Sequence, residues 1–148
     1  MREIKFFVPG MPQTAGSKRA FINPKTGRPI ITDDNKKGKP WRATAQVFAT
    51  QVTKDLLQGP ILATFCFYMP RPKGHYNSKG EVKSSAPRYP TTKPDALKMA
   101  RAIEDALTGI CYSDDSNIVD EILSKRYADN GKLGCSVLLR EMEGNGLG

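Results

Sequence analysis

Residues 61–69 read Ile61-Leu62-Ala63-Thr64-Phe65-Cys66-Phe67-Tyr68-Met69, between Pro60 and Pro70. Aromatic and branched side chains dominate and prolines close both ends, so the stretch predicts a strand. What flanks it sets the fold class. From Trp41 to Leu57 apolar residues recur at helical spacing (Ala45, Phe48, Val52, Leu56), and Gly59-Pro60 stops that helix. Downstream, Ala96, Met99, Ala100, Ile103, Ala106 and Leu107 form the apolar stripe of a helix over 96–108, ended by Gly109. Near the start, Ile4, Phe6 and Val8 alternate with polar positions, a strand over 3–8 that stops at Pro9-Gly10. Residues 117–127 and 133–141 predict two more strands, joined by the turn Asn130-Gly131, and the tail 142–148 is expected to fray.

The order is then β-loop-α-β-loop-α-β-β. It predicts an α/β (α+β) domain: a mixed β-sheet of about four strands with two helices packed on it, and long basic loops. The 148 residues fit one domain, 1–148, and no internal repeat is visible.

The loops carry the charge. The chain is net +8, but residues 1–40 are net +6 and residues 70–94 net +5, leaving the remainder net −3. Basic regions over an acidic remainder point to a polyanion partner, most often nucleic acid. Residues 11–40 lack helical period and read as a long basic loop, with room for a short hairpin around Asn23-Pro24. Residues 70–94 read as a second basic loop, expected to be mobile without a ligand. His75, Tyr76 and Tyr89 stand among its cations, a mix suited to backbone contact plus base stacking, or simply to anchoring the loop. Cys66, Cys111 and Cys135 have no paired metal-like spacing. An odd number of thiols and a start without targeting character lead us to expect a cytoplasmic protein, and no apolar run is long enough to span a membrane.

Against this basic background a short stretch concentrates acids: Asp95 after Lys93-Pro94, Asp105, and the pair Asp114-Asp115. Each has an ordinary explanation. Asp95 suits a helix N-cap, and two acids suit a turn before a strand. Together they offer the hard oxygen ligands that Mg²⁺ prefers. A 13-residue helix spans about 20 Å, so Asp114-Asp115 reaches Asp95 only if the chain reverses after Gly109. Steps of about 100° put Lys98, Arg101 and Asp105 on one side of that helix, away from the apolar stripe. Arg101 and Asp105 make either a surface ion pair of a few tenths of a kcal/mol or a group facing a scissile phosphate. Leu97 lies on the same side, where an apolar residue needs a reason.

The stretch Lys93-Pro94-Asp95, Arg101, Asp105-Ala106-Leu107-Thr108-Gly109 and Asp114-Asp115-Ser116-Asn117-Ile118-Val119 resembles the RusA family of Holliday junction resolvases, mainly over residues 90–127. The opening strand with Pro9-Gly10-Met11-Pro12 is similar too. The resemblance implies a homodimeric, Mg²⁺-dependent endodeoxyribonuclease that places paired nicks across four-way DNA junctions, in a family frequently carried by phages. It implies action in bacterial or phage-infected host cytoplasm, with no membrane partner and no small-molecule cofactor. It makes Asp95 and Asp115 catalytic and metal-binding and Arg101 the counterpart of the family's helix lysine, and we expect Asp114 to assist as an auxiliary ligand. Lys18, Arg19, Arg71, Lys73, Lys79, Lys83, Arg88, Lys93 and Lys98 would bind the DNA. The family commonly reads Asp-x-Asp at the helix start, and here the second aspartate is Leu97. Two outcomes follow from that substitution. Other acids hold the metal, with Asp114, Asp105 and Asp120 as candidates, or the protein binds branched DNA without cutting it well. A non-catalytic nucleic-acid-binding module is the competing class. A basic RNA-associated domain ranks behind it, because no platform like that of an RNA-recognition motif is visible.

Overall fold

The structure is a computed structural model. It describes residues 1–16, 18–33 and 36–144, with the backbone only for residues 18, 19 and 31–33. Eight principal elements run in chain order: β1 (Glu3–Pro9), β2 (Lys18–Ile22), β3 (Pro29–Asp33), α1 (Gly38–Val52), β4 (Ile61–Met69), α2 (Ala96–Leu107), β5 (Ile118–Tyr127) and β6 (Gly134–Glu141). Four strands make one mixed sheet in the order β1-β6-β4-β5. The β4–β5 pair is parallel, and the other pairs are antiparallel. β2 and β3 form a separate hairpin, within the segment read as a loop with room for one.

β4 alternates without a break: Ile61, Ala63, Phe65, Phe67 and Met69 are buried, and Leu62, Thr64, Cys66 and Tyr68 are half-buried. The buried set meets α1 and α2, which cover one face of the sheet. Burying Phe65 or Phe67 contributes on the order of 2–3 kcal/mol each. β1 and β6 add Ile4, Phe6, Val8, Cys135, Val137 and Leu139 to the same core. From α2 come Met99, Ala100, Ala102, Ile103, Ala106 and Leu107, the expected stripe with Ala102 in place of Ala96.

Two expectations are corrected. α1 starts at Gly38 and ends at Val52, so its buried stripe is Trp41, Ala45 and Ala49, while Val52 is exposed. After Thr53 the chain turns away, and Leu57 bonds through its N–H to the Cys111 carbonyl instead of continuing the helix. The turn at Asn130-Gly131 exists, closed by Gly131 N–H to Ala128 O. Yet β5 and β6 are not neighbours, because β4 lies between them. The connection is stitched at its ends to other strands, Ala128 N–H to Met69 O and Gly10 N–H to Leu133 O. The 70–94 segment is cross-braced by Lys83 N–H to His75 O, Asn77 N–H to Glu81 O and a bridge between Tyr76 and Val82. Of the tail, Met142 bonds to the Pro60 carbonyl, and 145–148 lie outside the described residues.

Candidate active site and nucleic-acid interface

The site residues hang on α2 and on the return that follows it. Gly109, at φ 85°, turns the chain. Its N–H bonds to Tyr112 O, and the Tyr112 hydroxyl donates to Glu104 O at 2.8 Å, pinning the return onto the helix. Asp114 then caps a 3-10 turn over Asp115–Asn117 by accepting from Ser116 N–H at 2.8 Å. That bond lowers its carboxyl below the usual carboxylate range. Of the two adjacent acids, Asp114 does the turn chemistry, and Asp115 meets it through a side-chain hydrogen bond.

Asp115 is brought back beside the end of α2. Loss of water, then the hydrogen bond with Asp114, then the Asp114 and Asp105 charges raise its carboxyl, and Arg101 opposes them. So the chain does reverse after Gly109, and it brings Asp115 into one electrostatic neighbourhood with Arg101 and Asp105, at the opposite end of α2 from Asp95. Asp95 stands at the N-cap position of α2 but its side chain caps nothing. The carboxylate is 57% exposed, with Lys98 Nζ at 3.9 Å. Asp95 and Asp105 mark the two ends of α2, about 15 Å apart along the axis, with Arg101 between them on the exposed side. Leu97, 70% exposed, occupies that side next to Asp95. Among the described residues no three His, Cys, Asp or Glu side chains are already gathered as a metal cluster.

β5 runs back along α2. At its far end Lys125 Nζ donates to Thr92 O at 2.7 Å and to Pro94 O at 3.0 Å, fixing the cis Lys93–Pro94 segment that leads into Asp95. Nearer its start, Glu121 faces Glu104 of α2. Burial first, then the Glu121 carboxyl hydrogen-bonded to it, push the Glu104 carboxyl up to about 8. Glu121 Oε2 is buried without a hydrogen-bond partner among the described residues, and a proton held on Glu104 is the donor such a pair needs. The sequence reading missed this pair. A strict period of two along β5 would not have found it, because the register shifts after Ile118: Glu121 and Leu123 pair with Ala63 and Phe65 on the helix-facing side, while Val119 is 57% exposed. Asp120, a candidate ligand, pairs with Leu62 on the opposite face, away from the site.

Of the expected DNA-binding cations, Lys73, Lys79, Lys83, Arg88, Lys93 and Lys98 are exposed. Arg71 is turned inward instead, its side chain 5% exposed. It donates to Asp129 at 2.7 and 3.1 Å and to Pro87 O at 2.6 Å, contacts His75 Nδ1, and lies 4.2 Å from the Tyr127 ring centre. His75 also meets Tyr127 edge-on, so that ring serves as a loop anchor. The backbone of Lys18 and Arg19 belongs to β2, and their side chains lie outside what is described. No described helix is long and apolar enough to cross a membrane.

Residues 9–137 match the family described as Endodeoxyribonuclease RusA. The chain is also 31% identical over 141 residues, 94% of this chain and 96% of the relative, to a Bacillus subtilis (strain 168) protein named "Uncharacterized protein YqaN". With the acids and Arg101 on α2 and its return, and with a match across most of its length, the chain belongs to the RusA endodeoxyribonuclease family.

Proposed function

We propose that the chain is a Mg²⁺-dependent endodeoxyribonuclease that resolves four-way DNA junctions by paired nicks, acting as a homodimer in the cytoplasm of a bacterium or of a phage-infected host. The observation that carries this is the carboxylate of Asp95. It sits where a capping side chain is ordinary, makes no capping bond and is open to solvent beside Lys98. An aspartate released from structural duty, at the end of a helix whose exposed side carries Arg101, is available for chemistry.

The donor chemistry fits a hard divalent cation. Loss of water first, and then the neighbouring Asp114 and Asp105, raise the Asp115 carboxyl, and a divalent cation relieves the like-charge part of that crowding. Asp115 with Asp114, and Asp95, would hold one or two ions. When bound, the metal supplies an activated water and neutralises charge on the phosphate. The chain's own groups do the rest. Arg101 presents a fixed fork of donors to phosphate oxygens, where charge accumulates in the transition state. Lys125 holds the backbone leading into Asp95 in place. Lys93 and Lys98 meet the neighbouring phosphates. A two-fold dimer would present two such sites to the two strands of a two-fold junction.

Cleavage of a labelled four-way junction, with and without Mg²⁺, is the test. Wild-type protein should give paired nicks only with the metal. Asp95→Asn should cut at least about 10²-fold more slowly, the scale of losing a transition-state contact, while binding the junction as well or better. Cutting by Asp95→Asn at the wild-type rate would sink the assignment. The second reading is a junction-binding protein that cuts poorly, favoured by Leu97 in the family's aspartate position. Mg²⁺-independent binding with no nicks from wild type selects it.

A further inference from the structure

Tyr89 is 46% exposed on the 70–94 segment, and two guanidiniums frame its ring. Arg88 Cζ lies 5.5 Å and Arg126 Cζ 5.0 Å from the ring centre. Arg88 is its chain neighbour, but Arg126 comes from the end of β5, so the grouping is tertiary. Neither arginine has a carboxylate partner among the described residues. Two guanidiniums without a carboxylate partner among the described residues thus lie over one half-exposed aromatic ring.

The segment that presents the ring is held on both sides. Before it, the inward-turned Arg71 grips the Pro87 carbonyl at 2.6 Å. After it, Pro90 is buried and Lys125 grips the Thr92 carbonyl at 2.7 Å. Ordering entropy for this aromatic is therefore lost in folding rather than on binding, which favours a ligand-contacting role. Lys125, the chain neighbour of Arg126, also bonds the Pro94 carbonyl at 3.0 Å, so the strand end that carries Arg126 also fixes the backbone leading into Asp95. An aromatic face flanked by phosphate-seeking cations has the chemistry of a surface for an unpaired base and its backbone. Continuous duplex hides its base faces in the stack, whereas a branch point exposes them.

We propose that Tyr89, framed by Arg88 and Arg126, is a stacking platform for a nucleobase exposed at the DNA branch point, and that it sets the preference for branched over continuous duplex. The inference rests on the reading of this chain as a branched-DNA endonuclease. The experiment measures binding to three probes: a four-way junction with 2-aminopurine at the branch, a linear duplex of the same sequence, and a single strand. Wild type, Tyr89→Ala, Tyr89→Phe and Arg126→Gln are compared after circular dichroism has confirmed folding. Tyr89→Ala should weaken junction and single-strand binding about tenfold, leave duplex binding within about twofold, and abolish the 2-aminopurine signal change. Tyr89→Phe should keep both affinity and signal. Arg126→Gln should weaken binding to the junction and single strand. Equal loss on all three probes, or no loss at all, overturns the platform. Nicking is scored in the same samples. Nicking without any Tyr89 dependence of binding removes the platform alone. A Tyr89-dependent signal without nicking removes the nuclease reading and leaves the platform standing.

Discussion

A carboxyl group placed half-buried against another carboxyl keeps its proton, and Glu104 is in that position against Glu121. Its folded-state value, about 8, lies above the ordinary 4.5, so the native state binds this proton more tightly than the unfolded chain does. The stabilisation is complete below the unfolded value and is lost as pH rises through the folded one. Urea unfolding should show stability falling by roughly 2 kcal/mol between about pH 5 and pH 9, after allowance for solvent screening of a half-exposed group. Glu104→Gln keeps the shape without the charge and should flatten that slope. An unchanged slope in Glu104→Gln would remove the pair from the account. Leu97 poses the opposite case, an apolar residue where charge is expected. At 70% exposure it contributes little to the core, so Leu97→Asp should fold normally. Beside Asp95 the new carboxylate should raise Mg²⁺-dependent nicking roughly tenfold, equal to about 1.4 kcal/mol of barrier. A drop in nicking at every Mg²⁺ concentration would show that the leucine is not an empty ligand position. Of the candidate site, the place of Asp95 at the start of α2 and of Arg101 on its exposed side was legible from residue type and helical phase, whereas the place of Asp115 was not, because it depends on how the chain returns after Gly109. The inward-facing Glu104–Glu121 pair was not, since it depends on which strand α2 packs against.

At the scale of elements, local period was a good guide wherever an element's neighbours did not matter. β4 was bounded correctly because nine β-formers stand between prolines, and α2 because six apolar residues share one stripe. α1 was misplaced by several residues. Its anchor Trp41 lies one turn inside the helix rather than at its start, and Leu57 is buried by a loop contact to Cys111 rather than by helical phase. The β5–β6 connection carries a turn signal that fits a hairpin, but a period of two says nothing about which strand lies alongside. The outcome is decided by β4, whose apolar residues need sheet partners on both edges. β6 enters the sheet through Gly134, at φ 150°, opposite Pro9 of β1. A Cβ there would strike the Val8 carbonyl and lie 2.6 Å from the Phe7 ring. Backbone cannot yield as a flexible side-chain tip can. Gly134→Ala should therefore cost at least about 3 kcal/mol and lower Tm by roughly 6–12 °C. A melt within about 2 °C of wild type would mean that β1 and β6 separate more easily than their register implies.

For the whole molecule, the division of charge matters more than its total. Two basic segments at net +6 and +5 sit on a remainder of net −3. The acids of that remainder include those on α2 and its return, so a polyanion drawn to the basic segments is presented to an acidic edge that needs cations before it can approach. That arrangement ties DNA binding to salt. If six to eight of the exposed or β2 cations meet phosphates, log K should fall against log salt with a slope of roughly −5 to −7. Fluorescence anisotropy of a labelled junction across a salt series measures it. Neutralising one exposed cation, as in Lys83→Gln, should shallow the slope by about 0.9 and leave the melting temperature unchanged. Arg71→Gln should behave differently, although the same basic segment contains it. Its guanidinium is held by Asp129, the Pro87 carbonyl and the Tyr127 ring. Losing it should lower Tm and loosen the segment that carries Tyr89, with the slope changed less than by Lys83→Gln. An Arg71→Gln protein that melts like wild type and loses a full phosphate's worth of slope would return Arg71 to the DNA-binding face. The bracing of the 70–94 segment would then have to come from its other contacts.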